Sequence, residues 1–540
     1  MNTLDLLEIA SSIVPDRIAL LESSGDQRQA TYSELRMRVG RLASAMEGLG
    51  VKRGDRVALL DVNSPAHVET YFACAAIDAI FVPVNFRARP RELAGMLASV
   101  EPALVVASPR YVDVVDEAVR QVRPGAIRMS TGPTGAQGWV DYETKLAARD
   151  PMDRPPDGGD ESPTMVMFTS GTSARPRGVT LTHSSFCSYV LGNVTPAEPT
   201  SEERVAITVP LYHIAGVQVL MAGVYGGRVH VLQPQFEPAA WMQLVEHHRI
   251  SRAMLVPTMM RAVVEHPDFD RYDLSSLRFI TYGAAAMPVD VLEKAIERFP
   301  NASFINAFGQ TESAATITML GPEDHHLRGD PVEVEKKRRR LRSIGKPLPD
   351  VEVRIVGESG NDVAPGETGE IVARGARMMK GYWGSPDATR TVLQGGWLHT
   401  GDLGYQDGDG YIFLAGRARE FIKRGGEIIS PEEVEEVLSS HPAVLEAAVI
   451  GVPDRAWGEV VHAVVALRPG AAVAAAELIE HCRRSIASFK KPERVHFVDQ
   501  LPRTQLGKIM RSELRDRFAP PAAASGPCLP ESGTKGRASE

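Results

Sequence analysis

The sequence predicts an α/β protein with a large N-terminal domain of layered α/β sheets, a β-rich subdomain within it, and a small C-terminal α+β domain. Three observations lead there. Short apolar runs of strand length alternate with amphipathic helical stretches through the first half of the chain, the grammar of βαβ sheets covered on both faces. Near Leu341 the alternation gives way to short strands separated by turn formers, and near Gly416 it changes again to a compact mixture of helices and strands. A length of 540 residues exceeds one core and predicts about three to four folding units.

In order, TYSELRMRVGRLASAMEGLG carries apolar residues at three- and four-residue spacing and ends at glycine, as an amphipathic helix does. RVALLDV follows as a strand, then a helical run into AIFVPVN. The apolar run Thr164–Phe168 reads as a buried strand. Beyond it the strand candidates are VAITVPL, RVHVL, RAMLVP, RFITYG and SFINAFG, separated by helical candidates such as WMQLVEHHR and VLEKAIERF. Ligands of open α/β sheets gather at the carboxyl ends of strands. That rule singles out His213 with Gly216, Pro257 with Thr258, Gly283 to Ala286, and Phe308 to Glu312.

From Val351 to Gly375 the chain is hairpin-rich, broken by ESGNDVAPGETGE. EEVEEVLSSHPAV, LEAAVIGV, VVHAVVAL and AELIEHCRRSIASF then supply the small α+β module. The domains are expected at 1–416 and 417–518, with a disordered tail, rich in Ala, Pro, Ser and Gly, over 519–540. The basic run KKRRRLR from Lys336 to Arg342 follows acids and reads as a solvated loop or helix end rather than a membrane or nucleic-acid patch.

Composition excludes several classes. An apolar share of 43% with 24% charged residues is ordinary for a globular protein, and a net charge of -8 argues against bulk nucleic-acid binding. Cys74, Cys187, Cys482 and Cys528 lack metal-ligand or CxxC spacing and fit a reducing compartment. The opening MNTLDLLEIASS carries acids, and no apolar run reaches the length of a span. The expectation is a cytoplasmic enzyme with no secretory signal and no transmembrane segment.

One stretch carries more chemistry than the rest. FTSGTSARPRG, Phe168 to Gly178, sets hydroxyls, glycines and two guanidinium groups just past a strand, the kit that holds a polyphosphate. The same residue types also make surface turns. The GxxxxGK[ST] spacing is absent, so this is not a Walker loop.

Four further stretches follow it in order: NAFGQTE, GWLHTGDLG, GRAREFIKRGGE and PRTQLGKIMR. Together the five resemble the motif set of the adenylate-forming superfamily, the acyl-CoA synthetases (fatty-acid–CoA ligases among them), peptide-synthetase adenylation domains and luciferases, over nearly the whole chain. The resemblance implies a ligase that joins a carboxylate to the α-phosphate of ATP, releases pyrophosphate, and passes the acyl group to a thiol. Such a transfer needs positioning and charge neutralisation more than covalent help.

The resemblance assigns roles. Thr169, Ser170, Gly171, Thr172, Ser173 and Arg177 would hold the β- and γ-phosphates; Ala174 and Arg177 stand where the family usually has glycine and lysine. Glu312 would carry Mg²⁺, Thr311 contact the α-phosphate, Phe308 stack on adenine, and Gly283 with Ala284 line the base. Asp402 would take the ribose hydroxyls, with Arg417 a second ribose or phosphate contact. Lys508 matches the catalytic lysine, whose compact ammonium reaches both carboxylate and phosphate. His213 sits where the family has a histidine or aromatic beside the carboxylate. A hinge at Arg419 would make the small domain mobile, exchanging Lys508 for Gly425, Gly426 and Glu427 near the thiol.

The resemblance also places the acid pocket among His213, Val217, Tyr282, Ala284, Ala307, Gly309, Ala314 and Ala315, several of them small, leaving room for a fatty or bulky hydrophobic acid. EIISPEEVEEVL and GVPDRAWGE resemble the free-standing CoA ligases more than carrier-bound adenylation domains, which implies coenzyme A as the acceptor. The alternatives are a ligase loading a carrier-protein thiol and a catalytically silent acyl- or nucleotide-binding homologue. Oligomeric state is not legible in the sequence, and a homodimer is allowed.

Overall fold

The structure, a computed structural model, describes residues 1–23, 28–88, 90–122, 125–169, 176–417, 420, 422–424, 427–454, 457–486, 488–504 and 509–518. These form two compact units, one reaching to residue 417 and one beginning at Glu420.

The large unit is built on two long sheets. One runs, in spatial order, through Gly381–Tyr382, Arg177–Thr182, Pro163–Thr169, Ile80–Pro83, Arg56–Leu60, Leu104–Ala107, Ile127–Ser130 and Trp139–Asp141. Its interior is parallel and the hairpin end is antiparallel. The other contains the parallel neighbours Val229–Leu232, Arg204–Ile207, Arg252–Leu255, Phe279–Gly283 and Ser303–Gln310, then turns antiparallel into Ala315–Leu320. All five predicted strands of this region are present, separated by the predicted helices Pro238–His248 and Val289–Arg298.

Strand alternation builds the layers. Val57 and Leu59 point into a core shared with Leu20, Val205, Ile207 and Leu232 of the second sheet and with the helices between them. Ala58 and Leu60, on the opposite face of the same strand, pack with Leu93, Leu97, Val115 and Val119 of outer helices. The second sheet has its own outer layer, around Trp241, Met260, Val263 and Leu292. The helix Tyr32–Gly48 has the predicted span and a capping box: Glu34 N–H donates to Thr31 Oγ1 at 3.2 Å, and Thr31 N–H to Glu34 Oε2 at 2.8 Å.

The hairpin-rich segment is an antiparallel sheet of Glu352–Val356, Gly369–Arg374, Trp397–Gln406, Leu393–Gln394 and Ile412–Arg417. The basic run lies in and just beyond the helix Pro331–Arg340 and is largely neutralised in place. Lys336 pairs with Asp409 at 2.9 Å, Arg338 with Glu293 at 3.0 Å, and Arg340 with Asp324 at 3.0 Å. That is the helix end anticipated from charge pattern, since its cations are used locally.

The small unit packs the helices Pro431–Ser439 and Ala475–Ser485 on a sheet of Glu427–Ile429, Ile422–Arg424, Gly458–Leu467, Val444–Asp454 and Arg494–Phe497. Arg511, at the start of the last helix, ties Glu420 at 2.9 Å to Glu435 at 2.8 Å. The expected tail beyond residue 518 lies outside the described residues. No helix among those described is long and apolar enough to cross a membrane.

Candidate active site

The hairpin of Pro163–Thr169 and Arg177–Thr182 ends where Thr169 faces Arg177, the Thr169 hydroxyl donating to the Arg177 carbonyl at 3.5 Å. Residues 170–175, which connect these strand ends and include Ser170, Gly171, Thr172 and Ser173, lie outside the described residues. Beside the hairpin runs the two-residue strand Gly381–Tyr382, with Gly381 opposite Thr180 and Tyr382 opposite Val179. The Arg177 guanidinium lies over the Tyr382 ring, 5.4 Å from its centroid. The Tyr382 hydroxyl donates to Glu312 Oε1 at 2.9 Å. One tyrosine thus joins the hairpin of the first sheet to the acidic turn that follows the Ser303–Gln310 strand of the second.

That turn is tightly constrained. Gln310 N–H donates to Ser313 Oγ at 3.1 Å, and Met379 N–H to the Glu312 carbonyl at 2.7 Å. Ala314 and Ala315 follow with φ of 49° and 85°, a left-handed pair that side-chain-bearing residues rarely adopt. The register slips between Phe308 and Gly309, a bulge at the place where the chain must turn toward the site. A Cβ on Gly309 would overlap the Ala315 carbonyl, and one on Gly283 the Ala307 carbonyl, so both backbones approach as closely as glycine permits. Ala284, just past Gly283, is exposed with φ of 66°. Phe308 is half-buried, one side packed among Ile317, Val351 and Ala373, which supports its ring without enclosing it.

Asp402 is 7% exposed and stands opposite Arg417 in register on adjacent antiparallel strands. Its N–H donates to Thr400 Oγ1 at 3.1 Å, and that hydroxyl donates to the Ile371 carbonyl at 2.6 Å. Gln310 Nε2 reaches the Thr400 carbonyl at 3.5 Å, so the NAFGQTE and HTGDLG stretches are bonded to each other. Sequence separation hid this; the sheet topology supplies it.

His213 precedes the helix Ile214–Tyr225, its ring 4.3 Å from that of Tyr212. Burial pushes its pKa down to about 3, so the ring is neutral at ordinary pH, and Nε2 has no protein partner among the described residues. Gln218, on the same helix, is buried, and neither of its amide atoms is paired among the described residues. Tyr282 differs from the pocket expectation: it is fully buried and its hydroxyl is bonded to His325 Nε2 at 2.9 Å, because its strand position faces the outer core.

The residues present fit a Mg²⁺ ion accompanying a nucleotide. Among the described residues no three His, Cys, Asp or Glu side chains converge, and Glu312 offers Oε2 with no protein donor. Mg²⁺ takes few protein carboxylates and completes its shell from phosphate and water. Thr311 shares the same turn. Lys508, Gly425 and Gly426 lie outside the described residues, so the structure brings together Thr169, Arg177, Thr311 and Glu312 and leaves those others unplaced. Tyr382 was not singled out from sequence. Its only signal is the aromatic in KGYWGSP, and its partner is 70 residues away.

The profile of the AMP-binding enzyme matches residues 7–383, and that of the AMP-binding enzyme C-terminal domain matches residues 433–508. The chain belongs to the AMP-binding enzyme family. Feruloyl-CoA synthase of Amycolatopsis sp. is 39% identical over 490 residues, covering 90% of this chain and 94% of that protein. Indoleacetate–CoA ligase of Aromatoleum aromaticum is 34% identical over 495 residues, covering 91% and 94%. Among solved structures, the anthranilate CoA ligase AuaEII in complex with anthranoyl-AMP aligns with a TM-score of 0.84 at 26% identity, covering 96% of this chain and 97% of that one. This AMP-binding enzyme is therefore an AMP-forming acid–thiol ligase, as the five motifs imply.

Proposed function

We propose that the enzyme activates a bulky, ring-bearing carboxylic acid as its acyl-AMP and transfers the acyl group to the thiol of coenzyme A. The observation that carries the reading is the Arg177–Tyr382–Glu312 constellation at the mouth of the phosphate-loop hairpin, in the same unit as Asp402. In the first step a carboxylate oxygen attacks the α-phosphorus, the bond to the β-phosphate oxygen breaks, and pyrophosphate leaves. Arg177 balances charge on the leaving group, and Thr311 orients the α-phosphate. Glu312 would hold Mg²⁺, which when bound neutralises phosphate charge. Asp402 and Arg417 fix the ribose, Phe308 supports the base, and Lys508 is assigned by resemblance to the carboxylate and α-phosphate. In the second step the thiol sulfur attacks the acyl carbon, the C–O bond breaks, AMP departs, and the thiol proton passes to solvent.

Coenzyme A is favoured as acceptor by a feature of the small unit. Trp457 and Phe489 are 52% and 38% exposed, and Arg424 links them: its guanidinium is 5.5 Å from the Trp457 ring centroid and donates to the Phe489 carbonyl at 2.9 Å. Exposed aromatics with an adjoining guanidinium suit a purine nucleotide. A ring-bearing acid with a polar substituent is favoured over an unfunctionalised chain because His213 and Gln218 keep buried polar atoms that have no partner among the described residues. Each costs about 1–3 kcal/mol unless a substrate hydroxyl or N–H meets it. The feruloyl and indoleacetate relatives point the same way. The test supplies ATP, Mg²⁺ and coenzyme A with hydroxycinnamates, arylacetates, benzoates and fatty acids of several lengths. The expected result is a thioester with highest kcat/KM on an aryl acid. Preference for long fatty acids would overturn the acid assignment, and acyl-AMP accumulating beside unused coenzyme A would overturn the acceptor.

A further inference from the structure

Tyr382 is held with unusual care for a residue in a two-residue strand. Its N–H donates to Thr389 Oγ1 at 2.9 Å, and that hydroxyl donates to the Ser385 carbonyl at 2.9 Å. Lys380 N–H and Trp383 N–H, on either side, donate to the Thr180 and Gly178 carbonyls at 2.9 and 2.7 Å. Backbone and side-chain bonds therefore clamp this position onto the phosphate-loop hairpin. From there the ring carries Arg177 on its face, and the hydroxyl engages one oxygen of Glu312 while leaving the other open.

We propose that Tyr382 is the positioning residue for both charged groups of the phosphate site: its hydroxyl aims the Glu312 carboxylate at the metal position, and its ring holds the Arg177 guanidinium toward the phosphates. The two duties are chemically separable. A carboxylate that binds a cation needs a donor on its far oxygen to fix its orientation, and loss of such a partner commonly weakens metal binding about 10- to 100-fold. A guanidinium resting on an aromatic face gains a preferred position from the ring quadrupole, without a hydrogen bond.

This role rests on the phosphate-site reading above, and the test separates the two. Binding of ATP to the full-length protein, without any acid substrate, is measured by calorimetry across a Mg²⁺ titration for wild type, Tyr382→Phe and Tyr382→Leu. Wild type is expected to bind ATP in a Mg²⁺-dependent manner. Tyr382→Phe, which keeps the ring, is expected to raise the Mg²⁺ midpoint about tenfold while ATP affinity at saturating Mg²⁺ stays within about twofold. Tyr382→Leu is expected to show the same midpoint shift and a further loss of about three- to fivefold in ATP affinity at saturating Mg²⁺. Thermal melting of each variant confirms the fold, and if the Tyr382→Leu variant fails to fold, the Tyr382→Phe variant alone decides the hydroxyl's duty. Unchanged Mg²⁺ dependence in Tyr382→Phe, with wild type binding normally, would overturn the positioning role. A wild-type protein that binds no ATP at any Mg²⁺ concentration would overturn the phosphate-site reading and this role with it.

Discussion

Burial decides the chemistry of individual side chains here more than charge pairing does. His67 and His213 are pushed down to about 3, and His183, His230 and His325 to about 4, in each case chiefly by desolvation. A folded-state pKa below the unfolded value of about 6.5 means that the unfolded chain binds more protons at acid pH. Stability is thus intact above about pH 6.5 and falls as pH drops toward 4, each of these histidines contributing at most about 1.4 kcal/mol per pH unit. Urea unfolding at pH 7.5, 6 and 5 is expected to show a steady fall through that window, and a flat profile there would contradict the burial of these rings. The same displacement keeps the His213 ring neutral at ordinary pH. Candidate residues were legible where a motif carried the resemblance, as for Glu312 and Asp402. They were illegible where contact alone creates the role: nothing in KGYWGSP announces that Tyr382 reaches Glu312.

Elements were the most legible scale, because each long apolar run has one compatible period. SFINAFG could only be a strand once the helix VLEKAIERF preceded it, and the strand Ser303–Gln310 is what forms. What the pattern could not reveal is the bulge between Phe308 and Gly309 and the left-handed pair Ala314 and Ala315, since neither depends on hydropathy. These irregularities aim Thr311 and Glu312. Gly309→Ala would drive a methyl group into the Ala315 carbonyl, a backbone atom that cannot step aside. The expected outcome is destabilisation of about 3 kcal/mol or more, read as a lowered denaturation midpoint, with weakened Mg²⁺-dependent ATP binding in whatever fraction folds. A fully stable variant with normal binding would show that the close approach is not obligatory. The pocket expectation for Tyr282 failed for a related reason: alternation along its strand turns that ring to the outer core, and Ala284, just past the strand's end, is the exposed one.

At the scale of the whole molecule, two units carry different motifs. The large one holds Arg177, Glu312 and Asp402, and the small one holds Trp457, Phe489 and Arg424. We expect Lys508→Ala to cut acyl-AMP formation by a factor of about 100 or more, on the order of an electrostatic contact made in the transition state, while transfer from supplied acyl-AMP to coenzyme A stays within about threefold. Stopped-flow or quenched assays of the two half-reactions check this, and equal loss in both would contradict a lysine serving adenylation alone. Changes of element pattern near Leu341 and near Gly416 were readable along the chain. The pairing of distant strands was not, because hydropathy records which face is buried but not against what.

In an AMP-forming ligase the carboxylate itself becomes bonded to the α-phosphate of ATP. Incubating the enzyme with Mg²⁺, ATP, coenzyme A and an accepted acid labelled with ¹⁸O in both carboxylate oxygens tests it in one mass-spectrometric measurement. Passage through acyl-AMP places one labelled oxygen in the released AMP and none in pyrophosphate. Unlabelled AMP, or label recovered in inorganic phosphate beside ADP, would contradict it.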